Sequence, residues 1–92
     1  DVYKRQVQRV HKAAGGLIRS DFEVEEGRFR RVRLSGDFFC FPEGAVHLLE
    51  GSLDSRRIES ARDLLAAFYK ETGAETPGIE IDDWMKVLAY GA

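Results

Sequence analysis

From Leu17 to Val24 the chain alternates, with Ile18, Ser20, Phe22 and Val24 on one side and Arg19, Asp21, Glu23 and Glu25 on the other. A period of two predicts a strand with one buried face. Glu26-Gly27 breaks the run, and glycine there supplies the positive φ of a tight hairpin. Strand character resumes in Phe29-Arg30-Arg31-Val32-Arg33-Leu34, where Val32 and Leu34 share a face and Phe29 has the opposite parity. A bulge near Arg30 would return Phe29 to the core side. The expected product is an antiparallel hairpin that sets Glu23 and Glu25 against Arg31 and Arg33. Exposed cross-strand pairs of this kind contribute about 0.2–1 kcal/mol each and specify register more than stability.

Ser35-Gly36-Asp37 interrupts the sheet, and Phe38-Phe39-Cys40-Phe41 follows. Three aromatic side chains in so short a run belong in a core or against a partner. Pro42-Glu43 suits the first turn of a helix that runs to about Glu50 and stops at Gly51. Ser52 and Asp54 offer caps for a second helix, about Ser55 to Thr72, with Ile58, Ala61, Leu65, Phe68 and Tyr69 as its apolar stripe. Gly73 ends it, and Thr76-Pro77-Gly78 reads as a loop. Asp82 or Asp83 caps a short last helix that holds Trp84, Val87 and Leu88. Strands first and helices after predict an α+β fold, an N-terminal antiparallel β-hairpin or small sheet packed against about three C-terminal helices.

The first six residues, Asp1-Val2-Tyr3-Lys4-Arg5-Gln6, match the in-frame translation of a transposon-derived sequencing adapter, GAT-GTG-TAT-AAG-AGA-CAG. They are read as non-native and left out of fold reasoning. The expectation is a single domain over 7–92, with whatever preceded Val7 missing.

A chain of 92 residues is one domain at most and has a thin core, burying roughly 60–65% of its unfolded surface. Fourteen basic residues against sixteen acidic ones give a net charge of −2, so no global field draws the chain to nucleic acid or anionic lipid. No apolar run approaches the ~20 residues of a membrane span. The single cysteine, Cys40, permits neither an internal disulfide nor a cysteine metal cage. A cytoplasmic, reducing compartment is the expectation.

Candidate chemistry is sparse. Cys40, flanked by Phe39 and Phe41, reads first as a small buried apolar residue. A reactive thiol would need a nearby cation or helix N-terminus, which the helix near Pro42 could supply. His47 sits between Val46 and Leu48 with no second ligand one turn away, and His11 stands alone. Arg28, Arg30, Arg31 and Arg33 form the one basic concentration and raise an RNA or anion reading. Asp21, Glu23, Glu25 and Glu26 across the hairpin would neutralise much of it. Gly15-Gly16 lacks the Lys-Ser/Thr of a phosphate loop. No Ser/His/Asp set and no metal spacing can be assembled, so the chain is not expected to be catalytic alone.

The ordered run from Ala14-Gly15-Gly16-Leu17-Ile18 through Glu25-Glu26-Gly27-Arg28 to Leu34-Ser35-Gly36-Asp37-Phe38-Phe39 resembles the C-terminal domain of lipoate–protein ligases. The closing Gly78-Ile79-Glu80-Ile81-Asp82-Asp83-Trp84 is similar to that family's last capped helix. The resemblance spans nearly everything after Lys12 and is most specific from Ser35 to Phe39. It implies an accessory role beside a large catalytic domain that forms lipoyl-AMP from lipoate and ATP. The lipoyl group then passes to a lysine of an acceptor domain. ATP, Mg and lipoate are implied as ligands of the assembled ligase, with none held by this domain alone. The large domain is either a separate chain or a fused one lost upstream of Val7.

On this reading Gly15, Gly16, Gly36, Asp37, Phe38 and Phe39 lie on or beside the contact with the large domain. Gly36 would let a partner backbone approach, Asp37 would accept hydrogen bonds, and the phenylalanines would be anchors. Phe38 and Phe39 are equally readable as core. Two other classes stand beside it: a thiol or sulfur-carrier-like protein using Cys40, and a small RNA- or anion-binding module using the Arg28–Arg33 strand.

Overall fold

A computed structural model describes residues 3–90. Three antiparallel strands come first, β1 (Lys4–Ala13), β2 (Gly16–Glu25) and β3 (Arg28–Gly36), side by side in that order. Helix α1 (Ala45–Leu53), a 3-10 turn (Ile58–Ser60), α2 (Ala61–Thr72) and α3 (Ile81–Leu88) follow. The α+β order is the expected one. Helix α1 packs against β3, and α3 packs against β1 and β2. The other face of the sheet keeps Gln8, Val10, Lys12, Arg19 and Arg33 exposed.

The hairpin of β2 and β3 forms as its alternation requires, with Ile18, Ser20, Phe22 and Val24 buried. Ser20 is tolerated inside because its Oγ donates to the Val87 carbonyl at 2.7 Å. The bulge falls at Arg31, one residue beyond the expected place. Asp21 faces Arg33 while Glu23 faces Arg30, so β3 holds one extra residue between them. Arg31 adopts φ 55°, and the insertion brings Phe29, Val32 and Leu34 together in the core. It also changes the charge pairing. Glu23 stands opposite Arg30, and Glu25 opposite Arg28, in place of the anticipated Arg31 and Arg33.

Strand β1 was not foreseen. Of its core-facing positions Val7 and Ala13 are buried and apolar, but Arg9 and His11 between them are polar. Both reach α3 and its exit: the Arg9 guanidinium donates to the Ala89 carbonyl, and His11 Nε2 lies 2.9 Å from Asp83 Oδ1. Of the adapter-like segment, Asp1 and Val2 lie outside the described residues. Lys4, Arg5 and Gln6 pair with Glu25, Val24 and Glu23.

Helix α1 differs from its expected span at both ends. It starts at Ala45 behind Gly44, whose φ is 89°, and it continues through Gly51 to Leu53. A glycine inside a helix costs about 1 kcal/mol, whereas burying Leu53 contributes about 1.5–3 kcal/mol. Leu53 is fully buried, and the helix runs on to place it. Ser52 and Asp54 therefore cap nothing downstream. Ser52 Oγ donates to Leu49 O, and Asp54 Oδ1 accepts the Arg31 N–H at 3.1 Å.

The second helix begins as the 3-10 turn and becomes α-helical only at Ala61. Its buried stripe is Ala61, Leu65 and Phe68, and Gly73 ends it in the left-handed conformation. In α3 the cap is Glu80, in a reciprocal box with Asp83, two or three residues earlier than the expected Asp82 or Asp83. Trp84, Val87 and Leu88 point inward.

A polar relay ties α2 to α3. Trp84 Nε1 donates to Tyr69 Oη at 2.8 Å, Tyr69 and Thr76 hydroxyls lie 2.7 Å apart, and Thr76 Oγ1 donates to Ile79 O at 3.1 Å. Thr76 has one hydroxyl proton and gives it to Ile79, so Tyr69 is the donor between them.

Candidate interface at the corner of the sheet

Three backbone segments meet where β2 begins and β3 ends. Gly15 N–H donates to Gly78 O at 2.8 Å, and a Cβ on Gly15 would overlap the Pro77 carbonyl oxygen. A Cβ on Gly16 (φ 136°) would overlap the Asp37 carbonyl oxygen, and one on Gly36 (φ 146°) would overlap that of Leu17. Asp37 N–H closes the corner by donating to Leu17 O at 2.9 Å. The approach that Gly36 permits is thus made by the chain's own Leu17. Glycine is needed here on two counts, a φ region that L side chains rarely adopt and backbone-to-backbone contact.

This corner sets the direction in which the next residues leave the sheet. Phe38 turns inward and meets Trp84 edge to face, ring centroids 5.5 Å apart. Phe39 turns outward and is 72% exposed. It stacks in parallel on Phe41, itself 57% exposed, at 6.1 Å. Two mutual backbone hydrogen bonds between Phe41 and Glu75, 2.9 and 2.8 Å, hold that end of the segment. Asp37 is exposed between corner and stack.

The six residues singled out from the sequence therefore divide. Gly15, Gly16 and Gly36 pack within the chain, Phe38 joins the core periphery, and Asp37 and Phe39 stand on the surface. Phe41 was not among them, although its spacing of two from Phe39 was the available signal in extended chain.

The other candidates are placed as follows. Cys40 is half-buried, and burial pushes its thiol up; a backbone hydrogen bond at Val46 in α1 acts the other way and is the smaller effect. That environment disfavours the thiolate a reactive cysteine needs. His47 is exposed, with Nδ1 3.1 Å from Glu50 Oε1. His11 meets Asp83, whose carboxyl is held below the usual aspartate range first by the Glu80 backbone N–H and then by His11. Arg28, Arg30, Arg31 and Arg33 are all exposed along β3, but Glu25, Glu23 and Asp21 face three of them across the hairpin. An open groove of about 440 Å³ lies on the outer sheet face between Val10, Arg19 and Arg33, away from the aromatic stack. Among the described residues no three His, Cys, Asp or Glu side chains gather where a metal ion could be held. No helix among them is long and apolar enough to cross a membrane.

Comparison with known proteins agrees with this architecture. No family model matches the chain. Lipoate-protein ligase A subunit 2 of Thermoplasma acidophilum is 39% identical over 77 residues, covering 84% of this chain and 81% of that protein. A similar fold occurs in a solved structure of an archaeal lipoylation system from the same organism, described as a bi-partite lipoate protein ligase and its E2 lipoyl domain. One chain there superposes with a TM-score of 0.90 at 34% identity, covering 96% of this chain and 99% of that one. On the strength of that identity and coverage, this chain belongs to the lipoate–protein ligase A subunit 2 family.

Proposed function

We propose that the chain is the accessory subunit of a bipartite lipoate–protein ligase. It docks on the large catalytic subunit, supports ATP-dependent formation of lipoyl-AMP, and leaves transfer to a lysine of the acceptor domain to the assembled enzyme. The observation that carries this reading is the Phe39–Phe41 stack. Two parallel aromatic rings stand in solvent on a segment pinned at both ends, by the glycine corner and by the Phe41–Glu75 pair. Folding alone gives no reason to leave such area exposed, and aromatic anchors of this kind dominate the energy of protein interfaces. The Thermoplasma relative, itself part of a bi-partite ligase, supports the same conclusion.

In this proposal Phe39 and Phe41 are the apolar anchors and Asp37 is the hydrogen-bond acceptor beside them. Gly15, Gly16, Gly36 and Phe38 hold the segment in its binding shape. ATP, Mg and lipoate are, on this reading, ligands of the assembled ligase rather than of this domain alone. A reducing cytoplasm suits a chain whose one cysteine is a half-buried free thiol.

The test is lipoyl-AMP formation from lipoate and ATP by the matching large subunit, with and without this chain. Formation only in the mixture supports the accessory role. Equal formation by the large subunit alone overturns it.

A further inference from the structure

The chain treats the two edges of its sheet differently. Along β3 it covers its own edge. Phe29 N–H donates to Arg56 O at 2.9 Å, and Phe29 O accepts from Ser55 N–H at 2.7 Å. Side chains take the next two amides, Asp54 that of Arg31 and Glu50 that of Leu34 at 2.7 Å. The bulge at Arg31 further spoils that edge as a template.

Along β1 none of these devices is present among the described residues. All ten residues pair with β2 in unbroken register, without bulge or proline. Among the described residues, no backbone hydrogen bond reaches the outer side of β1 from another element. The groups concerned follow from the register. Asp37 N–H donates to Leu17 O, so Leu17 faces β3, and the alternation turns Ile18, Ser20 and Phe22 towards β1. Their partners His11, Arg9 and Val7 face back, which points the N–H and C=O of Gln8, Val10 and Lys12 to the open edge. A long, regular, unpaired edge is a template for another strand.

Charge selects the kind of strand. From Val7 to Ala13, β1 carries Arg9, His11 and Lys12 and no carboxylate. Along the whole of β1, β2 brings Asp21, Glu23 and Glu25 opposite Gln8, Gln6 and Lys4, with Arg19 opposite Val10 as its one base, and against β2 in turn β3 brings four arginines and no carboxylate. The sheet thus alternates basic, acidic, basic. A second copy of β1 would set like charges side by side, whereas an acidic strand continues the alternation. Position agrees as well. Lys12 pairs with Leu17 and Ile18 with Gly36, so the Lys12 end of β1 is the end of the sheet where Asp37 departs towards the aromatic stack.

We infer that the outer edge of β1 receives an extended, carboxylate-bearing segment of the large ligase subunit, which extends the sheet to four strands. The inference rests on the docking reading above and adds a second, main-chain contact to it.

The experiment measures binding of the full chain to its large subunit by calorimetry, for wild type, Val10→Ala and Val10→Pro. The Val10 side chain is 60% exposed, so both substitutions spare the core, and only proline removes the outward N–H. Val10→Ala should bind within threefold of wild type and Val10→Pro at least tenfold more weakly. Hydrogen exchange covers the case in which Val10→Pro fails to fold. In wild type the amides of Gln8, Val10 and Lys12 should exchange at least tenfold more slowly in the complex than in the free chain. Undiminished binding by a folded Val10→Pro, or unchanged exchange at those three amides, overturns the inference and leaves the docking reading standing. Failure of the wild-type chain to bind at all overturns both. A homodimer seen by sedimentation and abolished by Val10→Pro gives the edge to a second copy and also overturns it.

Discussion

Gly16 and Asp37 approach so closely that a single added methyl group on Gly16 would overlap the Asp37 carbonyl oxygen. The start of β2 and the exit of β3 are therefore locked to each other through main chain alone. Everything the exit segment displays, from Asp37 to the Phe39–Phe41 stack, takes its orientation from that contact.

Gly16→Ala should for this reason be severely destabilising. The substitution combines a left-handed φ of 136° with a backbone overlap that no rotamer change can relieve. Urea unfolding should show a loss of more than about 3 kcal/mol, or no folded chain at all. Gly27→Ala is the control, because its added methyl group meets nothing and only the strain of a positive φ of 75° remains, about 1 kcal/mol.

Neighbouring phenylalanines should separate into two phenotypes. Phe38→Ala removes the ring that packs on Trp84 and should cost about 2–4 kcal/mol of stability. Phe39→Ala removes a solvent-facing ring and should leave stability within about 0.5 kcal/mol. Its effect should appear in affinity for the large subunit, a loss of about 2 kcal/mol or roughly thirtyfold. Thermal melts and calorimetry on the same two variants check both halves.

Asp37→Ala should weaken function more than folding, since its exposed side chain belongs to no described hydrogen bond or ion pair. The melting temperature should move by less than about 3 °C. Lipoyl-AMP formation in the mixture should fall clearly. Equal loss of both would assign Asp37 to the turn.

The capping box of α3 predicts an acid limb in stability. Hydrogen bonds from the Glu80 backbone and from His11 favour ionised Asp83, so its folded pKa lies below its unfolded one. Stabilisation is then complete above the ordinary aspartate value of about 3.9 and drains away as pH falls through the lower folded value. Asp83→Asn should melt lower than wild type above about pH 5, and the gap should shrink as pH falls below about 4.

Cys40 should prove dispensable for chemistry. Burial raises its thiol pKa, leaving less thiolate at neutral pH than a free cysteine has. Labelling by a disulfide reagent at pH 7 should be slower than that of a cysteine peptide, and Cys40→Ser should still support lipoyl-AMP formation.

Much of the hairpin and of α2 was readable from residue order because their partners are local. Alternation from Ile18 to Val24 and the stripe of Ala61, Leu65 and Phe68 each describe one buried face of one element. The parity mismatch at Phe29 even located the bulge to within one residue. The run from Ser35 to Phe39 likewise carried the family resemblance. Where an element owed its form to distant residues, periodicity was silent. Strand β1 turns Arg9 and His11 inward and is legible only beside Asp83 and Ala89, more than seventy residues away. Helix α1 crosses Gly51 because Leu53 has a place in the core. Identical side chains at 38 and 39 meet opposite fates because Trp84 lies on one side of the segment and solvent on the other. Local pattern determines which face of an element is apolar, but a residue's environment is the sum of contacts that only the closed fold brings together.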